Sequence, residues 1–222
     1  NAMKKIARNW ASRPMMLIFW LLGWWLFKIR NKTTIIGREK LPPQAGLLLL
    51  SNHQSLIDSL LIAYALFQPR DIFFRYHHIP YNAPAWENFF KKPSRRFFCR
   101  LLKTIPAYRH GGKSKITGNI LSFEEILKSD SLLLFFEGTR SRDGQIGPCK
   151  YGPAKLIIDC QPTVVPIKIE NMDKVMPIEI GFKWHQIRSG QNITIKIGEP
   201  LVFPSLEIEE IKKYIQHQIA QL

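Results

Sequence analysis

Four consecutive leucines, Leu47 to Leu50, stand between Gly46 and the polar pair Ser51-Asn52. A run this short and wholly apolar fits a strand covered on both faces, as inside a parallel sheet. Comparable strand-like runs occupy Ser131 to Phe136, Thr163 to Ile169 and Asn192 to Ile197. Helical segments are expected between and after them, at Ser55 to Leu66, Lys115 to Lys128, Pro153 to Asp159 and Ser205 to Gln221. Further strands are expected at Thr33 to Gly37, Ile72 to Tyr76 and Thr104 to Ala107, with residues 77–98 the least regular. This alternation gives an α/β fold, a mixed and largely parallel sheet flanked by helices. A chain of 222 residues has room for one such domain with a substantial core. Its expected extent is 33–222, preceded by an N-terminal membrane-associating helix in 3–32.

The loop after the leucine run reads Asn52-His53-Gln54-Ser55-Leu56-Ile57-Asp58. With Ser55 as an N-cap, Asp58 falls three residues into the helix, within reach of His53. A carboxylate bonded to one imidazole nitrogen fixes the tautomer and leaves the other nitrogen as a base. Deprotonating a hydroxyl for attack on an acyl carbon needs that arrangement. The same residues also fit a capping box with Asp in place of the usual Glu or Gln, and the helix dipole favours a carboxylate there. Both readings stand at this level.

The second polar cluster follows the run ending at Phe136: Glu137-Gly138-Thr139-Arg140-Ser141-Arg142-Asp143-Gly144. A buried strand ending in such a loop delivers functional groups to the C-terminal edge of a sheet, where α/β proteins build their sites. Arg140 and Arg142 offer planar guanidinium donors for phosphate or carboxylate. Thr139 and the backbone around Gly138 add neutral donors. An ordinary solvated turn is the competing reading, since Asp143-Gly144 is a strong turn signal.

Together the two clusters resemble the lysophosphatidic acid (glycerol-phosphate) acyltransferase family. Asn52 to Asp58 resembles its first block, whose His and Asp form the catalytic dyad. Ile105-Pro106-Ala107-Tyr108-Arg109 resembles the second, which ends in an acceptor-binding arginine. Phe135 to Arg142 resembles the third, with Phe136 where proline is usual. Val164-Val165-Pro166-Ile167 resembles the fourth, and Lys150-Tyr151-Gly152 resembles a Lys-x-Gly segment that opens a helix. The resemblance implies transfer of a fatty acyl group from a thioester, acyl-CoA or acyl-carrier protein, to the hydroxyl of a lysophospholipid, foremost 1-acylglycerol-3-phosphate. It implies His53 and Asp58 as catalytic residues. Glu137, Gly138, Thr139, Arg140 and Arg109 would bind substrate, with no cofactor beyond the acyl donor. Backbone amides near Pro166 and the lysine Lys103 are candidates to hold the oxyanion. Related enzymes that acylate lipid A precursors carry Glu where Asp58 stands, which sets them apart.

Composition supplies a partner. Thirty-two basic residues against 17 acidic give +15, which calls for nucleic acid or an anionic lipid surface. Residues 3–40 hold nine of the basic residues and a single acid, Glu39. Within them, Pro14 to Phe27 carries no charge and three tryptophans. As a helix that stretch rises about 21 Å, short of the ~30 Å hydrocarbon core. It suits a helix lying in the headgroup region at the cytoplasmic face. A signal peptide, a spanning anchor and a helix packed into the core are the alternatives. A second basic tract, Lys91 to Lys115, interleaves with Phe89, Phe90, Phe97 and Phe98. The chain lacks recognisable nucleic-acid-binding signatures, so no nucleic acid is expected. A non-catalytic basic protein binding nucleic acid or lipid is the contrasting reading, and the two part at His53. Cys99, Cys149 and Cys160 lack paired spacing for a disulfide framework or a zinc site. Cys149, beside the loop, is a minor candidate nucleophile.

Overall fold

The computed structural model describes residues 2–91, 93–108, 112–141, 144–180, 183–204 and 207–222. Its six strands are β1 (Lys32–Ile36), β2 (Leu47–Ser51), β3 (Tyr81–Asn82), β4 (Leu132–Phe135), β5 (Thr163–Glu170) and β6 (Asn192–Ile197). They form one sheet in the order β1-β6-β5-β2-β4-β3. Every neighbouring pair is parallel except β5 with β6. The leucine run is the centre of this sheet, and all five β2 residues are buried.

Alternation along β2 explains that burial. Leu47 and Leu49 face one core, and Leu48 and Leu50 face another. The first core lies under helices α1 (Ala2–Trp24) and α2 (Asp58–Leu66) and the short α3 (Pro69–Phe74). After the short α4 (Trp86–Phe89) and α5 (Pro93–Leu101) come helices α6 (Gly112–Leu127) and α7 (Tyr151–Cys160). With the C-terminal α9 (Ile208–Gln221), which follows the single turn α8 (Met172–Val175), these two helices cover the second core. The mixed sheet between helices is the architecture expected.

The N-terminal helix departs from an appended anchor. It packs on α2, α3 and α5. Met16, Leu17, Phe19 and Trp20 lie against the first core, and the π-helical turn Trp25–Ile29 buries Leu26 and Phe27 in it. Polar contacts lock the register: Trp20 Nε1 donates to Phe67 O at 2.8 Å, and Ser12 Oγ meets Tyr76 Oη at 2.6 Å. The opposite face leaves Trp10, Ile18, Leu21, Leu22, Trp24 and Trp25 exposed. Among the described residues no helix is long and apolar enough to cross a membrane.

Two expected elements take another form. Residues expected as the strand Ile72 to Tyr76 instead contribute to α3 and the 3-10 turn at Tyr76–His78. The cause is local, since Pro69 sits at the first helical position and Gln68 and Asp71 cap the turn reciprocally. The expected strand Thr104 to Ala107 contributes only isolated bridges to Asn82 and Ala85. It runs alongside β3 as an irregular sheet margin, through Asn82 N–H to Lys103 O and Ile105 N–H to Asn82 O.

That margin hangs on a buried ion pair. Lys103 adopts a left-handed φ of 48°, which costs energy for any side chain with a Cβ. Its ammonium, 1% exposed, donates to Tyr76 O, Ile79 O and Asp130 Oδ1 at 2.7–3.0 Å. It also lies 4.5–4.6 Å from the ring centroids of Tyr81 and Tyr76. Burial alone would raise the Asp130 carboxyl, but the adjacent ammonium outweighs it and holds the group below its ordinary range. The ammonium's direct bonds therefore go to structural partners, which withdraws Lys103 as an oxyanion donor.

Candidate active site

Strands β2, β4 and β5 run parallel, so the loops that follow β2 and β4 emerge together at one sheet edge. The loop after β2 is fixed by side chains that imitate a strand. Asn52 donates through Nδ2 to Ile169 O (2.9 Å) and accepts from Ile169 N–H (2.7 Å), and Gln54 Oε1 accepts from Met172 N–H. His53 is thereby held between rigid anchors.

His53 Nδ1 lies 2.8 Å from Asp58 Oδ2. That oxygen also accepts the backbone N–H groups of Gln54 (2.6 Å) and Ser55 (2.9 Å). Asp58 is fully buried, and its other oxygen has no hydrogen-bond partner among the described residues. Three donors thus converge on one oxygen. Facing a carboxylate, Nδ1 carries the proton and Nε2 carries the lone pair. Phe135 stacks on the imidazole at 4.0 Å between centroids and 11° between planes. Capping and the histidine contact, competing readings of the sequence, use the same oxygen. The helix itself starts at Asp58 rather than Ser55, whose Oγ accepts the Ile57 N–H.

The loop after β4 is stitched to the histidine loop. Glu137 Oε1 accepts the His53 N–H (3.0 Å), Oε2 accepts the Gly147 N–H (2.9 Å), and Ser141 N–H donates to His53 O (2.8 Å). A Cβ built at Gly147 would lie 2.9 Å from Glu137 Oε2, so a larger residue there would displace that carboxylate oxygen. Glu137 is buried, and burial pushes its carboxyl up, against the pull of the Gly147 and His53 amides. Glu137, expected among the substrate-binding residues, bonds both loops through its carboxylate and is absent from the described cavity lining. Phe136, where proline was expected, donates its N–H to Ser51 O, a bond proline cannot make.

A cavity of about 540 Å³ opens beside His53. Gly138, Thr139, Arg140 and Lys150 are among its lining residues. Its apolar walls come from α1 (Met16, Phe19, Trp20), α2, the β3 margin and Phe123 of α6. Arg109 and Arg142 lie outside the described residues. Cys149 is buried, with its thiol pushed up to about 12 by burial, which removes it as a nucleophile near neutral pH. The α1 wall was not legible in the sequence, where residues 14–27 read as a lipid-facing unit.

A family model described as Acyltransferase matches residues 32–170, more than half of the chain. The chain belongs to the acyltransferase family. The curated proteins it is similar to include 1-acyl-sn-glycerol-3-phosphate acyltransferases. It is 29% identical over 173 residues to a chloroplastic 1-acyl-sn-glycerol-3-phosphate acyltransferase of Brassica napus, covering 78% of this chain and 43% of the relative. It is 20% identical over 198 residues to the 1-acyl-sn-glycerol-3-phosphate acyltransferase of Borreliella burgdorferi, covering 89% and 70%. The chain thus spans less than half the length of the plant relative. The crystal structure of the 1-acyl-sn-glycerophosphate (LPA) acyltransferase of Thermotoga maritima shares the fold, with a TM-score of 0.70 at 20% identity over 98% of this chain and 81% of that one.

Proposed function

We propose that this acyltransferase moves a fatty acyl group from a thioester, acyl-CoA or acyl-carrier protein, to the hydroxyl of 1-acylglycerol-3-phosphate. The observation that carries the reading is the 2.8 Å contact between His53 and the buried Asp58, set on a largely apolar cavity that also takes in Arg140. His53 Nε2 removes the acceptor's hydroxyl proton. The oxygen attacks the thioester carbon, and the tetrahedral oxyanion collapses as the carbon–sulfur bond breaks. The imidazolium returns its proton to the departing thiolate. Asp58 keeps the ring in the required tautomer and offsets its transient charge. No acyl-enzyme is required. The apolar walls suit acyl chains, and Arg140 suits the acceptor phosphate.

A panel of labelled acyl thioesters and lysolipids tests the assignment. Phosphate-bearing lyso-acceptors should be acylated, and failure with every acceptor would remove the proposed activity. Arg140→Ala should lower kcat/KM for phosphate-bearing acceptors by about 1.5–3 kcal/mol, the usual worth of a hydrogen bond to a charged group. Lysine should rescue poorly because it lacks the planar fork. An equal loss on acceptors without phosphate would make Arg140 structural.

The exposed face of α1 is proposed to lie on an anionic membrane at the cytoplasmic side. Ile18, Leu21, Trp24 and Trp25 are exposed there, with exposed Phe97 and Phe98 on the adjoining α5. Exposed Lys28, Arg95, Arg96 and Arg100 supply the positive charge. Deleting the helix would also remove cavity wall, so point substitutions are the cleaner probe. Replacing Trp24 and Trp25 with serine should weaken binding to anionic vesicles by up to ~1.5–3 kcal/mol per side chain, in a sedimentation assay. Unchanged sedimentation would place the membrane contact elsewhere.

A further inference from the structure

No motif of the sequence singles out Asn119, yet its side chain holds a wall of the cavity. The margin beside β3 is carried by backbone bonds as far as Ala107. Ile105 N–H donates to Asn82 O, Ala107 N–H to Pro84 O, and Trp86 N–H to Ala107 O. At Tyr108 a side chain takes over from this ladder. Asn119 Oδ1 accepts the Tyr108 N–H at 3.1 Å, and Asn119 Nδ2 donates to Tyr108 O at 2.8 Å. One carboxamide thus grips both backbone polar groups of a single residue, as a neighbouring strand would. Asn52 grips Ile169 in the same way beneath His53, at 2.9 and 2.7 Å. The fold therefore uses this device twice, once under the histidine and once on the cavity wall.

Asn119 stands on α6 one turn before Phe123, and both line the cavity with Ala85, Ala107 and Tyr108. The Tyr108 ring also stacks on Trp86 of α4, at 6.1 Å between centroids and 24° between planes. Asn119 spends both ends of its amide on the Tyr108 backbone, so it acts on the wall rather than on a ligand. It is half-buried and belongs to neither core, so its loss leaves the packed interior in place. We infer that Asn119 is a positioning residue for the reaction, presetting the Tyr108 wall against which an acyl chain packs. The inference rests on the proposed acyl transfer, and the chain has two sources, the thioester donor and the lyso-acceptor. With the clamp gone, the wall is in place in only a fraction of the molecules, and apparent affinity falls by that fraction.

Steady-state kinetics on Asn119→Ala, with each substrate varied in turn at saturating levels of the other, tests this. KM for at least one of the two acyl-bearing substrates should rise about fivefold or more, the low end for two lost net hydrogen bonds. The kcat should change far less. The substrate affected is the source of the chain on the wall. Replacing its long chain with a butyryl group, which has little chain to lay on the wall, should remove the difference between the proteins. Asn119→Asp is the sharper variant because its shape is nearly unchanged. It still accepts the Tyr108 N–H but sets a carboxylate oxygen against Tyr108 O, so KM should rise at least as far as in the alanine variant. Both KM values unchanged in Asn119→Ala, with or without a fall in kcat, would overturn the inference. A KM rise equal for butyryl and long chains would make Asn119 merely structural and overturn it too, as would Asn119→Asp with the KM values of the unaltered protein. Calorimetric binding of an S-alkyl-CoA thioether and of 1-acylglycerol-3-phosphate separates this from failure of the reaction. Weaker binding of either by Asn119→Ala, in a protein that transfers no acyl group, upholds the positioning role and removes the reaction; equal binding of both removes the positioning role.

Discussion

His53→Ala is expected to lower kcat for acyl transfer by ~10²–10⁴-fold, the range for a positioned general base. The ring's Nδ1 is spent on Asp58, and no other described histidine lines the cavity. Folding should survive, because His53 contributes structurally through its backbone N–H and C=O, which alanine retains. Asp58→Asn should be damaging for a different reason. One amide oxygen would have to replace an oxygen that now accepts from the His53 ring and from the Gln54 and Ser55 amides. If the amide nitrogen took that place, it would oppose three donors and favour the wrong imidazole tautomer. Steady-state kinetics on both variants checks this, and a His53→Ala rate above about one hundredth of the original would remove the general-base role.

Lys103→Met is expected to destabilise the protein by up to about 3–5 kcal/mol, because it takes the ammonium from the buried Asp130 carboxylate and leaves it the weaker contacts of His77 Nδ1 (3.1 Å) and Ser129 Oγ (3.0 Å). For a chain of this size that amounts to a fall in Tm of roughly 6–20 °C. Asp130→Asn should do comparable damage from the other side, and the double replacement should cost less than the sum of the singles. The sign with pH follows from the depressed Asp130 carboxyl. Its contribution is complete above the unfolded carboxylate range, near pH 4, and is lost as pH falls through the lower folded value. A scanning calorimetry profile in which Lys103→Met shifts Tm by less than about 2 °C would show that the pair is not holding the sheet margin. Since Ile79, Asn82, Leu102 and Thr104 of that margin line the cavity, acyl-chain preference should change along with stability.

The centre of the fold was legible because its strands are buried on both faces. Leu47 to Leu50 admits little but an interior strand, and β6 matches Asn192 to Ile197 end to end. The site was legible where side chains act locally, as in His53 with Asp58, five residues apart. It was not legible where one residue type serves two ends. Glu137 has the chemistry of a substrate-binding carboxylate, yet both its oxygens go to backbone amides, one of them 84 residues away in sequence. Lys103 likewise read as a candidate oxyanion donor, and nothing local announced that it would be buried against Asp130. Trp20 and Phe19 look like membrane anchors beside Trp24 and Trp25, and only the packing of α1 on α2 separates the inward pair from the outward one. The Ile72 to Tyr76 segment has strand composition, but the Pro69 start and the Gln68–Asp71 cap decide in favour of a helix.

Thiol release from a labelled acyl thioester, followed with and without acceptor, tests direct transfer by the His53–Asp58 pair most closely. With 1-acylglycerol-3-phosphate present, thiol should appear in equal amount to diacylated product, and His53→Ala should abolish both together. Without acceptor there should be neither a burst of thiol nor label covalently attached to the protein. A stoichiometric burst with acylated protein, or undiminished product formation by His53→Ala, would contradict the account.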